Sequence, residues 1–178
     1  MSQRIPLKLE VDPIIDAVIE IRLEASASLS DVLPGALLPT LGENIASIER
    51  LPTANFPKQI RDSDPNLAYQ PLVKIDLDGY ILLIGDRSVT LACPIPYPSG
   101  AVFKQKAIDV FEKILQLPIV KSVSRFSMKY TDFIEGDSLK DLIKYLKINM
   151  SAGKNDISQL NGLNLQFDVT EDKIHSLI

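Results

Sequence analysis

Asp16-Ala17-Val18-Ile19-Glu20-Ile21-Arg22-Leu23-Glu24-Ala25 decides the fold class. Ala17, Ile19, Ile21, Leu23 and Ala25 fall on one side and Asp16, Glu20, Arg22 and Glu24 on the other, with Val18 the exception. A period of two predicts a strand with one buried and one wet face, which favours an antiparallel sheet. The stretch 120–134 alternates in the same way, setting Phe126, Met128, Tyr130 and Ile134 against Lys121, Arg125, Ser127 and Lys129. Between them, Val73, Ile75 and Leu77 alternate with Lys74, Asp76 and Asp78, and Asp78-Gly79 offers a tight hairpin turn. Tyr80–Ile84 returns, Gly85-Asp86-Arg87 turns again, and Val89, Leu91 and Cys93 complete a meander. The expectation is that both long strands hide their apolar sides, Ile21 and Phe126 included, beneath shared helices.

The helical signals are of unequal quality. Ala101–Leu117 keeps Val102, Phe103, Ala107, Val110, Phe111, Ile114 and Leu115 at helical spacing, and Pro118 stops it. Residues 28–43 carry a leucine stripe but also Pro34 and Pro39, and proline is cheap only in the first turn. That predicts a turn over 28–33 and a helix from Pro34, distorted at Pro39. A third helix is expected from Asp137 or Ser138 to about Leu146 or Asn149, with Leu139, Leu142, Ile143 and Leu146 as its stripe. Residues 45–51 read as a short strand, the proline-rich 52–71 as a long loop or an irregular edge, 151–156 as a polar linker and 163–169 as a last strand.

The expected fold is therefore α+β, a curved antiparallel sheet with helices packed on one face, as a single domain over 1–178. Both long strands lead into a helix, which suggests duplication: a first copy over about 12–118 and an incomplete second over about 119–178. A full second copy needs about 60 further residues by comparison with the first. Either the chain is a truncated form, or its last strand is an edge closed by another chain.

Composition bounds the rest. The 178 residues include 19 basic and 23 acidic side chains, net −4, with 46% hydrophobic and 24% charged, values that exclude disorder and binding driven by bulk positive charge. Cys93 is the only cysteine, so no internal disulfide forms, and a lone free cysteine reads as a small buried hydrophobe. Met1–Asp12 has no apolar stretch for a signal peptide, and the longest apolar run, Tyr80–Ile84, is far short of the ~20 residues of a membrane helix. These features predict a reduced, cytoplasmic protein with no membrane contact.

Three stretches carry a family resemblance. Asp12-Pro13-Ile14-Ile15-Asp16-Ala17 resembles the Pro-Pro-Ile-x-Glu-Ala signature of a sporadically distributed, uncharacterised prokaryotic protein family. Pro96-Tyr97-Pro98-Ser99-Gly100-Ala101-Val102-Phe103 is similar to its Pro-Tyr-Pro-Gly-Trp-x-x-Phe lead-in to a long helix, and Arg125–Asp132 to its Arg-x-x-x-Arg-Tyr-x-Asn strand. The family tryptophan is absent, and Asp16 and Asp132 stand where glutamate and asparagine are usual. Family members are typically longer than this chain. The resemblance implies no activity.

The residues singled out are Lys121, Arg125, Lys129, Tyr130, Asp132 and Tyr97. Lys121, Arg125 and Lys129 recur every fourth residue, so in a regular strand they share a face and would suit an anion or a nucleic-acid backbone. The bland alternative is cross-strand pairing with Asp16, Glu20 and Glu24, which repeat at the same period. Lys140, Lys144 and Lys147 read as a solvated helix face. Asp62-Ser63-Asp64-Pro65-Asn66 opens like a calcium loop, but Leu67 and Val73 occupy the glycine and glutamate positions, so a turn is expected instead. Asp76 and Asp78 share a face at a hairpin end without a third ligand. Tyr97 and Phe103 read as helix-to-sheet core, with a cleft lining as the alternative.

No nucleophile elbow, phosphate-cradling glycine loop or metal-spaced Cys/His set is present, and His175 is the single histidine. No catalytic residue, cofactor or metal is assigned, and the balance leans away from an enzyme. The favoured reading is an interaction module that engages a protein partner, or itself, through a sheet edge or open face. A second is a small-molecule-binding or hydrolytic domain with carboxylates near Arg125 and Tyr130. The third, nucleic-acid binding through Lys121, Arg125 and Lys129, runs against the net charge.

Overall fold

A computed structural model describes residues 13–93, 95–133 and 135, and beyond them the backbone of four short strands within 151–177. The chain divides into two units, Met1–Phe133 and Ile134–Ile178. The first holds a curved, open sheet of six strands, all antiparallel, in the order β2-β3-β4-β5-β1-β6. These are β1 (Ile14–Ala25), β2 (Ile45–Arg50), β3 (Val73–Leu77), β4 (Tyr80–Ile84), β5 (Ser88–Ala92) and β6 (Val120–Asp132). The α+β reading holds, and so does the meander: β3, β4 and β5 are neighbours, and β3 joins β4 at Asp78-Gly79 by a turn with φ of 56° and 80°. Both residues of such a turn lie in the left-handed region, which Gly79 adopts freely and an aspartate tolerates.

Alternation places the core. Ala17, Ile19, Ile21 and Leu23 of β1 are buried with Ile75, Leu77, Leu82, Ile84, Val89 and Leu91. Two helices, α1 (Leu29–Leu41) and α3 (Gly100–Leu115), contribute Leu29, Leu33, Leu37, Leu41, Phe103, Val110 and Ile114 to the same cluster. Ser99 accepts a hydrogen bond from the Val102 amide and so caps α3.

The expected turn over 28–33 is corrected: α1 is helical from Leu29 and runs through both prolines. Its four buried leucines repeat every fourth residue. Each is worth about 1.5–3 kcal/mol on burial, against roughly 3 kcal/mol for one interior proline. Tertiary burial outweighs the local penalty. The expected loop 52–71 is corrected as well, since Pro52–Asn55 forms a 3-10 turn and Lys58–Ser63 forms α2. Pro52 stands in the first turn of one element and Pro57 at the N-cap of the other, where proline is tolerated.

The cover expected over Phe126 is also corrected. Phe126 is 60% exposed, whereas its cross-strand partner Ile21 is 4% exposed. β6 is the last strand of the sheet, and α1 and α3 bury the strands inboard of it.

In the second unit, β7 (Ser151–Ala152) pairs with β8 (Asn155–Asp156), where a linker was expected, and β9 (Asp168–Glu171) pairs with β10 (Ile174–Leu177). The helix expected over 138–149, with Lys140, Lys144 and Lys147, lies outside the described residues, as does 163–167 of the expected last strand. No helix among the described residues is long and apolar enough to cross a membrane.

Candidate functional site

The two long strands are direct neighbours, as the cross-strand reading of their charges requires. Val18 to Arg22 of β1 face Lys129 to Arg125 of β6 without interruption. Residues opposite each other share a face. Met128 and Phe126 therefore lie beside the buried Ile19 and Ile21, and Arg125 and Lys129 lie on the outer face beside Arg22 and Val18.

Two irregularities alter the far half of β6. Arg22 faces Arg125 but Leu23 faces Val123, so Ser124 is an extra residue; Glu24 faces Ser122 but Ala25 faces Val120, so Lys121 is another. Ser124 donates from Oγ to the Arg22 carbonyl at 3.1 Å and so holds the first of these bulges. The four-residue spacing that placed Lys121 in line with Arg125 and Lys129 assumes a regular pleat. The bulges take Lys121 out of that row.

Of the expected charge pairs, Lys129 Nζ lies 3.8 Å from Asp16 Oδ2. Glu20 turns instead to its own strand and accepts from Arg22 Nε at 2.9 Å. The Arg22 guanidinium also stacks 3.8 Å above the Tyr69 ring. Arg125 sits directly opposite Arg22, and among the described residues neither Arg125 nor Lys121 has an ion-pair partner.

On the helix face, Tyr130 meets Tyr97 edge-on at 6.0 Å between ring centroids, with the two hydroxyls 3.4 Å apart. Tyr97 in turn meets the buried Phe103 edge-on at 6.2 Å, and Phe103 stacks on Tyr80 at 6.3 Å. Phe103 is core, as its helical spacing suggests, and Tyr97 is half-buried between that core and the β6 edge. Arg125 and Tyr130 are five positions apart on an unbulged stretch, so they project to opposite faces and share no cleft. Asp132 stands exposed at the end of β6, opposite Ile14.

A run of apolar side chains remains on the helix face of β6. Val123, Phe126, Met128 and Tyr130 are all exposed. An edge strand with an uncovered apolar row is unusual in a free-standing sheet, because it offers both surface and unpaired backbone groups to another chain.

A separate polar cluster lies at the N-terminus of α1. The Asp86 carboxylate accepts from Ser28 Oγ and, at 2.9 Å, from Arg61 Nε, while its carbonyl accepts from the Leu29 amide at 3.1 Å. Ser28 has committed its proton to Asp86, so Ser30, 2.9 Å away, donates to Ser28. Burial pushes Asp86 up, but the bonds from Arg61 and Ser28 and the charges of Arg61 and Lys58 outweigh it and hold the carboxyl below its ordinary value. Close by, Gly85 has no room for a side chain, because a Cβ there would stand 2.7 Å from the Gln70 carbonyl and from Ser88 Oγ. Together these contacts fasten the 52–71 segment to the meander.

A cleft of about 260 Å³ beside Asp86 is lined by Glu24, Ser26, Ser28, Lys58 and Arg87, and its cations are not idle, since both reach Asp62. Asp62 and Ser63 end α2, and Asp64 accepts from the Asn66 amide at 2.8 Å, so the turn expected over 62–66 begins only past the helix. Asp76 accepts from the Gly79 amide at the hairpin end. Among the described residues no three His, Cys, Asp or Glu side chains gather as metal ligands.

Sequence reasoning missed the opposition of Arg22 and Arg125 and the Asp86–Arg61 pair. Both depend on register or on contacts across the fold that no local spacing encodes. No family model, curated protein or solved structure matches this chain.

Proposed function

We propose that this chain is a binding module that engages a protein partner through the β6 edge and its apolar row. One observation carries the reading: Phe126 and Met128 stand exposed directly beside the buried Ile21 and Ile19, on the last strand of the sheet. A partner strand laid along β6 would satisfy its outward backbone groups and cover those side chains in one step, the mode of strand addition. The three stretches that resemble the prokaryotic family fall on β1, on the lead-in to α3 and on β6, and meet at the Tyr97–Tyr130 contact. That convergence supports a shared working surface at this corner of the fold. It assigns no reaction.

Site-specific photo-crosslinking tests the reading. A benzophenone side chain at position 126, in cells expressing the chain, is expected to give one discrete protein adduct. The same probe at Lys104, on the exposed side of α3, is expected to give none. Equal labelling at both positions, or no adduct at 126, overturns the proposal.

A further inference from the structure

We infer that the segment seated on β6 is an extended acidic strand, alternating carboxylates with apolar residues and placing one carboxylate beside Arg125. The inference rests on the binding-module reading and adds the partner's chemistry to it. Its starting point is the direct opposition of Arg22 and Arg125 across β1 and β6. Like charges set opposite each other weaken a sheet. Arg22 has been compensated, by Glu20 at 2.9 Å and by the face of Tyr69, and Lys129 has Asp16 within 3.8 Å. Arg125 has neither. Among the described residues it is the one cation of the unbulged part of β6 left without a counter-charge.

The edge therefore presents an alternating pattern. Arg125 and Lys129 point to the outer face, and Phe126 and Met128 to the helix face. An incoming antiparallel strand of the opposite pattern would put carboxylates beside the cations and apolar side chains beside Phe126 and Met128, while its backbone continues the ladder. A charged acceptor on a guanidinium supplies specificity that main-chain bonds alone lack.

A second copy of this chain gives Arg125 no counter-charge: pairing β6 with itself about Ser127 sets Arg125 against Lys129, about Arg125 sets it against its own copy, and about Phe126 or Met128 sets it against Ser127 or Thr131. Nucleic acid would suit the cations but leaves Phe126 and Met128 uncovered. Both alternatives are outcomes of the test.

The test titrates the full chain with fluorescent peptides alternating valine with glutamate, glutamine or lysine, read by anisotropy. The glutamate peptide is expected to bind at least about tenfold tighter than the glutamine peptide, with the gap closing at high salt. Arg125→Glu should invert the order in favour of the lysine peptide, and Arg125→Lys should keep most of the original preference. Equal binding of all three peptides, abolished by Phe126→Ser, would overturn the acidic partner while leaving the edge reading in place. No binding by any peptide would overturn both. Displacement of the glutamate peptide by inorganic phosphate or by duplex DNA, or a dimer in sedimentation that Arg125→Glu dissociates, would overturn the acidic strand in favour of a free anion, a nucleic acid or a second copy.

Discussion

Arg61 Nε lies 2.9 Å from Asp86 Oδ2 with the two side chains 12% and 5% exposed, the most enclosed ion pair among the described residues. It ties α2 to the β4–β5 turn, and Ser28, donating to the same carboxylate, ties in the start of α1, where the Asp86 main-chain carbonyl also takes the Leu29 amide. Three separate elements depend on one carboxylate. Because the folded state holds Asp86 below its ordinary value, the folded form binds the proton less readily than the unfolded chain. This stabilisation is complete above the unfolded carboxylate value of about 3.9 and is lost as pH falls through the folded one. Urea unfolding of Asp86→Asn should therefore show a smaller loss of stability between neutral pH and pH 3 than the parent chain. At neutral pH, Arg61→Ala should cost about 3 kcal/mol, since it leaves an enclosed charge without its main partner. An acid limb identical in Asp86→Asn and parent would refute the assignment.

The opposed arginines make a prediction of the other sign. Arg125→Glu converts a like-charge pair with Arg22 into an attractive one, and should raise stability by about 0.5 kcal/mol, less in high salt. Urea midpoints at two ionic strengths measure it. A gain in stability from a single exposed change would indicate that Arg125 does not serve the fold.

Burial pushes the Cys93 thiol up to about 11. The thiolate fraction at pH 8 is then about a hundredfold below that of an ordinary cysteine, and alkylation should be correspondingly slow, rising with pH up to about 11. A pH profile of iodoacetamide labelling tests this; a plateau near pH 9 would show a free, solvated thiol instead.

Helix α1 carries more helix breakers than its stability needs. Gly35 is exposed, and a Cβ there would meet nothing within 4 Å. Gly35→Ala should stabilise by about 0.5–1 kcal/mol through the unfolded chain and helix propensity. Pro34→Ala should add to it by restoring an amide donor to the Ser30 carbonyl. Thermal denaturation of the single and double variants reads both effects.

Phe126→Ser should change stability by less than about 0.5 kcal/mol, whereas Leu82→Ala, at a fully buried position of β4, should cost about 2–5 kcal/mol. Denaturant midpoints distinguish them. A large loss at Phe126 would mean that its ring is covered in solution.

Alternation made β1, β3, β5 and β6 legible, because the period of the side chains and the burial of one face are the same physical fact, whereas β4 was legible as an apolar run between two turns and β2 only as a short strand without a clear period. What alternation does not carry is whether a cover exists. Ile21 and Phe126 give the same local signal and end at opposite extremes of exposure, since one lies inboard under the helices and the other at the rim. The bulges at Ser124 and Lys121 left no mark either, for no glycine or proline announces them, and with them went the inferred row of three cations. In α1 the local rule for proline was sound and still lost, because four leucines facing one core outvote it. The partner of Asp86 was invisible for a simpler reason: Arg61 is 25 positions away in a segment without periodicity.

The same two bulges impose a length limit. Only the stretch from Arg125 towards Thr131 keeps an even pleat, so a visiting strand finds a template for a few residues and then loses step at Ser124. Open-ended stacking of sheet upon sheet, the route to fibrils, needs long straight rims with matching registry. This rim is sticky enough to hold a short guest and too crooked to seed a polymer.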